Sequence, residues 1–270
     1  MATDYETIRV ELTGDGIAHI VLNRPRVLNA INTTLMGEVT GVVSALQHDP
    51  AVRCFVLSGE GRAFSAGFDL KESAAVGQRT IADWRRVLEA DFDFIMQFWD
   101  CPKPTISAIH GHCIGGGLEL AIACDIAIAA EDAIFGEPEV RFGSGIVALV
   151  LPWMIGPKHA KDMLLTGNDR VGARRAAEIG LVTETVPAGE HVARALGKAR
   201  EIVAAAPLSV ELTKRAINRS FDLRGMRSAL LAAVETDIFI EAAGGTERSE
   251  FNRIRAENGL KAAIEWRNSR

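Results

Sequence analysis

Residues 101–145, CPKPTISAIHGHCIGGGLELAIACDIAIAAEDAIFGEPEVRFGSG, decide how this chain folds. Thr105-Ile106-Ser107-Ala108-Ile109 suits a pleated strand, and Gly115-Gly116-Gly117 lets the backbone turn tightly with nothing shielding it. Leu118 to Cys124 then read as helix. The glycine amides therefore sit at a helix start, where N–H donors are unpaired and negative charge is favoured. A second strand is predicted after Asp125, followed by a loop ending in Pro138-Glu139.

Two acids flank that turn. Glu119 falls in the first turn of the helix, where an acid is ordinarily stabilising, and Glu139 falls in an apolar, glycine-bearing loop. Neither is diagnostic alone. A bare-backbone helix start combined with two acids supplies what is needed to hold an enolate and move protons beside it.

The segment resembles the enoyl-CoA hydratase/isomerase (crotonase) family, whose pattern is G-x-x-x-G-G-G-x-E-L, C-D-I-x-I-A and F-G-x-P-E. This chain reads GHCIGGGLEL at 111–120, CDIAIA at 124–129 and FGEPE at 135–139. Upstream, RAFSAGFDLK at 62–71 resembles the family's A-F-x-A-G-x-D-[IL] signature, and RPRVLNA at 24–30 resembles its R-P-x-x-x-N-A loop. Downstream, 165–182 resembles a run from L-T-G to G-L-V, and ENGLKAAIEWR at 257–267 resembles the terminal helix. The resemblance covers about residues 8–270 and is strongest from 16 to 187.

It implies an α/β fold: a crotonase-like core of repeated ββα units over residues 1–190, carrying an acyl-CoA site, and a C-terminal helical region over 191–270 that serves trimerisation. The backbone N–H groups of Phe68 and Gly116 would hold a thioester oxygen; losing one such donor typically costs about 2.7–4 kcal/mol of transition-state stabilisation. Glu119 and Glu139 would position water, one as base and Glu139 as the acid delivering the α-proton. Arg26 and Lys71 become candidates for coenzyme A phosphate, with Leu28, Ala66, Asp69 and Leu70 beside them in the substrate site. Trp84, Leu88 and Val147 would shape the acyl pocket. Read without the resemblance, Arg26 and Lys71 are solvated cations, Trp84 and Leu88 belong to a core stripe, and Asp69 is a turn carboxylate bonding local amides. Coenzyme A would arrive as part of the substrate, with no separate cofactor and no metal, and the assembly would be a homotrimer or a dimer of trimers.

One stretch departs from the family. Val147 stands where hydratases usually carry a glycine, and Trp153 replaces a common arginine. A branched side chain at 147 narrows and dries the site.

The remaining pattern supports an α/β domain with a helical tail. Residues 7–22 alternate like a hairpin turning at Asp15-Gly16, Asn29 or Asn32 caps a helix carrying Leu35, Val39, Val42, Val43 and Leu46, and 52–57 form an apolar strand. Residues 73–80 read as a polar loop before a helix with Ile81, Trp84, Leu88, Phe92, Ile95 and Trp99 on one face. Further helices are expected at 210–219 and 230–240, ending at Gly244-Gly245. His110 and His112 lack a third ligand at a metal-binding spacing and read as structural. The glycine run is neither a dinucleotide fingerprint nor a phosphate loop, because Leu120 stands where a glycine is required and no Lys-Ser or Lys-Thr follows.

Composition bounds the function. At 270 residues and 48% hydrophobic the chain can bury a large core, and a net charge of −5 argues against nucleic acid as partner. The four cysteines form no C-x-x-C pair and read as free thiols of a reducing compartment. The longest apolar run, 146–155, is broken by Pro152 and falls short of the roughly 18–20 residues of a membrane helix, so a cytoplasmic protein is expected. The expected activity is enoyl-CoA hydration, with enoyl-CoA isomerisation or another enolate chemistry as the alternative, and a catalytically silent CoA-binding or assembly protein as the reading from a different class.

Overall fold

The strands of each ββα unit part company: the first joins a large sheet and the second a small one, and the helices follow from the small sheet. The computed structural model describes residues 5–75 and 79–270. Strands β1 (Ile8–Leu12) and β2 (Ile17–Leu22) form an antiparallel hairpin. Thr13 and Ile17 close it backbone to backbone, and Gly16 takes the left-handed conformation at the turn. A 3₁₀ turn at Pro25–Val27 leads to α1 (Thr33–Leu46), whose cap is Asn32, accepting from the Leu35 amide at 3.0 Å. Asn29 instead stitches its loop together, accepting from the Arg24 amide and donating to the carbonyls of Glu60 and Ala63.

The first unit supplies β3 (Cys54–Gly59), β4 (Ala63–Ser65), α2 (Leu70–Ala75) and α3 (Ile81–Asp100). The second supplies β5 (Thr105–Ile109), β6 (His112–Ile114) and α4 (Gly116–Ala123), and the third β7 (Ile126–Ala130), β8 (Ile134–Gly136), α5 (Leu151–Met154) and α6 (Gly156–Thr166). There follow β9 (Val171–Gly172), α7 (Ala173–Glu178), β10 (Glu184–Val186), α8 (His191–Val203), α9 (Pro207–Leu223), α10 (Met226–Ala243) and α11 (Thr246–Asn268). The large sheet runs β1-β2-β3-β5-β7-β10 and is parallel beyond the first hairpin; the small sheet runs β4-β6-β8-β9, antiparallel only at its last pair.

Two local expectations are corrected. The strand expected over 52–57 lies at Cys54–Gly59, because the Val52 amide turns back onto the Asp49 carbonyl before pairing starts. The loop expected over 73–80 begins as helix: the Asp69 carboxylate accepts from the Lys71 amide at 3.0 Å and so caps α2. Residues 76–78 of that loop lie outside the described residues. From Thr80 onward a reciprocal cap with Asp83 starts α3.

Parallel strands covered on both faces read as continuous apolar runs, and β2 and β5 are buried along their whole length. One face of the large sheet packs on α8 through Val56, Ile106, Ile128, Ala195 and Ala199. The other forms the main core with α1, α3 and α4, including Phe55, Phe64, Phe98, Leu118 and Leu120. Each such large side chain contributes about 1.5–3 kcal/mol on burial. Asp125 ties the tail to the core: it accepts from the Thr105 amide at 2.8 Å and pairs with Lys214 of α9 at 2.7 Å, whose ammonium also reaches the Phe98 carbonyl. A buried pair of this kind holds only because its remaining hydrogen bonds are met.

All four cysteines are free and buried, and burial pushes the Cys54 thiol up to about 12. His110 stacks on His191 with ring centroids 4.6 Å apart and donates from Nε2 to the Gly61 carbonyl, a packing arrangement. No helix among the described residues is long and apolar enough to cross a membrane.

Candidate active site

The site grows from the edge where β4 and β6 of the small sheet run out into α2 and α4. Ile31 bridges to Phe68 in parallel register: its amide donates to the Gly67 carbonyl and its carbonyl accepts from the Asp69 amide, both at 2.8 Å. That alternation turns the N–H of Phe68 itself away from Ile31. Gly116 is the first residue of α4, and its amide is one of the orphans of a helix start. Neither amide has an acceptor among the described residues. The two stretches are in contact, since a methyl group on Gly116 would lie 2.5 Å from the Phe68 ring.

Gly115 makes the turn with φ of +56°, and its missing side chain is used: a Cβ there would fall on Glu139 Oε1. The Glu139 carboxyl thus lies over the glycine turn, while Glu119 projects from the first turn of α4. Glu119 is 2% exposed, and its Oε2 accepts from the Ala148 amide at 2.8 Å. Burial pushes the Glu119 carboxyl well above the usual carboxylate range, the Ala148 bond opposes that, and the Glu139 and Asp237 charges add to it. Burial likewise raises Glu139, to about 7, while a hydrogen bond from Glu137 holds it down.

Glu137 was not among the residues expected from sequence. It is fully buried, and neither of its oxygens meets a protein donor among the described residues. A carboxyl so placed keeps its own proton, and the acceptor in front of it is Glu139; burial and the charges of Glu139 and Glu119 all push Glu137 upward. In the sequence it stands directly after Gly136, the last residue of β8, in Glu137-Pro138-Glu139.

Every residue expected at the site lines one cavity of about 1590 Å³: Phe68, Gly116, Glu119 and Glu139, together with Arg26, Leu28, Ala66, Asp69, Leu70 and Lys71, and with Trp84, Leu88 and Val147. Arg26 and Lys71 are exposed and make no ion pair among the described residues. Asp69 pairs with Arg24 at 3.0 Å besides capping α2, so it builds the loop that carries Phe68. Leu28 takes the left-handed conformation, and its carbonyl receives the Ala66 amide at 2.9 Å. Leu88 is in the main core with only an edge at the cavity, and Val147 is 8% exposed next to the amide that holds Glu119. Lys261, Arg62 and Arg170 also line the cavity and were missed; each reads in sequence as a solvated charge. Among the described residues no cluster of His, Cys, Asp and Glu is arranged to hold a metal ion.

A sequence profile described as enoyl-CoA hydratase/isomerase matches residues 13–247. The chain belongs to the enoyl-CoA hydratase/isomerase family. It is similar to a probable enoyl-CoA hydratase of Mycobacterium bovis, 36% identical over 97% of this chain and 96% of the relative. It is similar to a hydroxycinnamoyl-CoA hydratase-lyase of Pseudomonas fluorescens, 31% identical over 90% of each chain. Among solved structures, an enoyl-CoA hydratase/isomerase from Xanthobacter autotrophicus Py2 superposes with a TM-score of 0.96 at 47% identity, covering 98% of both chains. The family's α/β architecture, with parallel sheets and a helical C-terminal region, is the one described above.

Proposed function

We propose that this enoyl-CoA hydratase/isomerase family member catalyses the reversible syn addition of water to the 2,3-double bond of a 2-enoyl-CoA thioester. The observation that carries the reading is the lining of a single cavity by two unpaired backbone amides, at Phe68 and Gly116, together with two buried carboxyls, Glu119 and Glu139. In this reaction the amides receive the thioester oxygen as it takes on enolate charge. One glutamate takes a proton from water as the water oxygen bonds to C3, and Glu139 delivers a proton to C2. A carboxyl at about 7 both holds and releases a proton near neutral pH, which is what that role needs. Arg26 and Lys71, exposed and without an ion pair among the described residues, line the same cavity and suit the phosphates of coenzyme A, which is carried by the substrate.

Val147 favours a second reading. Its nearly closed side chain beside the Ala148 amide leaves less room for an attacking water, as double-bond isomerisation through a single glutamate would require. Loss of crotonyl-CoA absorbance separates the two. Hydration is expected for the wild type, with losses of about 10²–10⁴-fold in both Glu119→Gln and Glu139→Gln; isomerisation would give no loss of crotonyl-CoA and sensitivity mainly to one of the two on a 3-enoyl-CoA. The protein is further proposed to be cytoplasmic and to assemble as a homotrimer or dimer of trimers, for which Leu208, Leu212 and Ile217 of α9 and Leu231 and Phe239 of α10 offer exposed apolar surface.

A further inference from the structure

The cavity does not end in an apolar wall. Its lining includes the junction of α10 with α3, which contributes two carboxyls: Asp237 from α10 and Asp91 from α3. Asp237 is 2% exposed, lines the cavity, and its Oδ1 has no hydrogen-bond partner among the described residues. Its seat is built by Gly145, where a Cβ would fall 1.9 Å from that same Oδ1, so any side chain at 145 would evict the carboxylate. Asp91 is half-buried and lines the same cavity. The neighbouring Glu241 is different, because it is saturated by Arg248 and the Ser144 hydroxyl.

We propose that this junction is a hydrogen-bonding subsite for a hydroxyl group carried by the acyl chain, with Asp237 as its acceptor and Asp91 beside it. The inference rests on the acyl-CoA reading of the cavity. An unpaired buried acceptor costs stability unless something donates to it. Water can do so in the free protein, but a methyl-ended acyl chain reaching this far displaces that water and returns nothing. A hydroxyl replaces the lost bond. The local charge argues for a neutral donor over a cationic one: burial raises both Asp91 and Asp237 to about 7, and the Arg79 and Arg248 guanidiniums already lie alongside, 4.6 and 5.9 Å from the Trp84 ring centre. The Asp237 charge is felt by Glu119 and that of Glu139 by Asp237, and all three carboxyls line the same cavity.

The test separates this subsite from the proposed reaction by measuring binding. Hexanoyl-CoA and 6-hydroxyhexanoyl-CoA, with their shorter and longer homologues, would be titrated calorimetrically into the wild type, Asp237→Leu and Gly145→Ala, and the matching 2-enoyl thioesters assayed for turnover. At the length that spans the pocket the wild type is expected to bind the hydroxylated thioester roughly 10-fold or more tightly than its methyl-ended counterpart. That ratio should fall to about one in Asp237→Leu and decrease in Gly145→Ala, which shifts the carboxylate without removing it. A methyl-ended chain bound as tightly at every length, a carboxylate-ended chain bound more tightly, or a preference that survives Asp237→Leu would each overturn the subsite. Tight, hydroxyl-dependent binding without turnover would uphold it and overturn the hydratase reading instead.

Discussion

The cationic and the carboxyl linings of the cavity are built on opposite principles. Arg26 and Lys71 are exposed and lack ion-pair partners among the described residues. Glu119 and Glu139 line the same cavity but are buried, with Glu137 acting on Glu139, and burial pushes all three carboxyls upward. The solvated cations suit attraction and tolerance of different positions. The buried acids suit proton transfer, because each has few neighbours and each neighbour matters. The contrast teaches that substitutions of the buried acids should act on kcat and on pH dependence, whereas those of the exposed cations should act on KM and on salt dependence.

The largest effect expected from breaking the contrast comes from Glu137. Leucine there removes the donor to Glu139 and leaves burial unopposed, so Glu139 rises further: the alkaline limb of the kcat/KM profile should move to higher pH, while the weaker acid lowers the plateau rate roughly 10-fold or more. Glutamine keeps an N–H donor and should hold both near wild type. Melting temperatures of Glu137→Leu and Glu137→Gln, measured beside their activities, separate this loss from unfolding.

A smaller effect concerns stability against pH. The Glu139 carboxyl is raised from 4.5 to about 7 on folding, so across that window the native protein keeps a proton that the unfolded chain has released. Raising the pH through this window therefore destabilises the fold, and the contribution levels off below the unfolded value and above the folded one. Glutamine at 139 cannot ionise. The stability of Glu139→Gln relative to wild type should accordingly grow between pH 5 and pH 8 in denaturant titrations, by at least about 1 kcal/mol; a difference independent of pH would mean that Glu139 is not held in a dry site. The smallest effect is expected for the exposed cations. Arg26→Ala or Lys71→Ala should raise KM several-fold with kcat kept, and the difference should shrink in about 1 M salt.

How much of this was legible in the sequence depends on whether a residue's role is local. The hairpin, the Asn32 cap, the glycine turn and the helix breaks at Gly244-Gly245 are set by near neighbours, and they lie where the pattern puts them. The glycine turn places Glu119 and Gly116 by the same local logic. Glu137 and Asp237 escaped because their burial comes from packing. Glu137 looks like a polar loop residue until Glu139 folds over Gly115. For Asp237 a signal existed: Leu230, Val234, Ile238 and Glu241 are all buried, and position 237 falls on that same stripe of α10. An acid in the middle of an apolar stripe is the pattern to look for. The α2 helix was read as loop because its cap is the Asp69 carboxylate, which also serves Arg24 across the chain.

The most direct measurement is a crystal structure with a bound, slowly turning enoyl-CoA thioester, read at one atom. The thioester oxygen should lie about 2.7–3.1 Å from both the Phe68 and Gly116 nitrogens, with Glu119 and Glu139 on one face of the double bond. An oxygen turned away from either nitrogen, or carboxyls on opposite faces, would contradict the account.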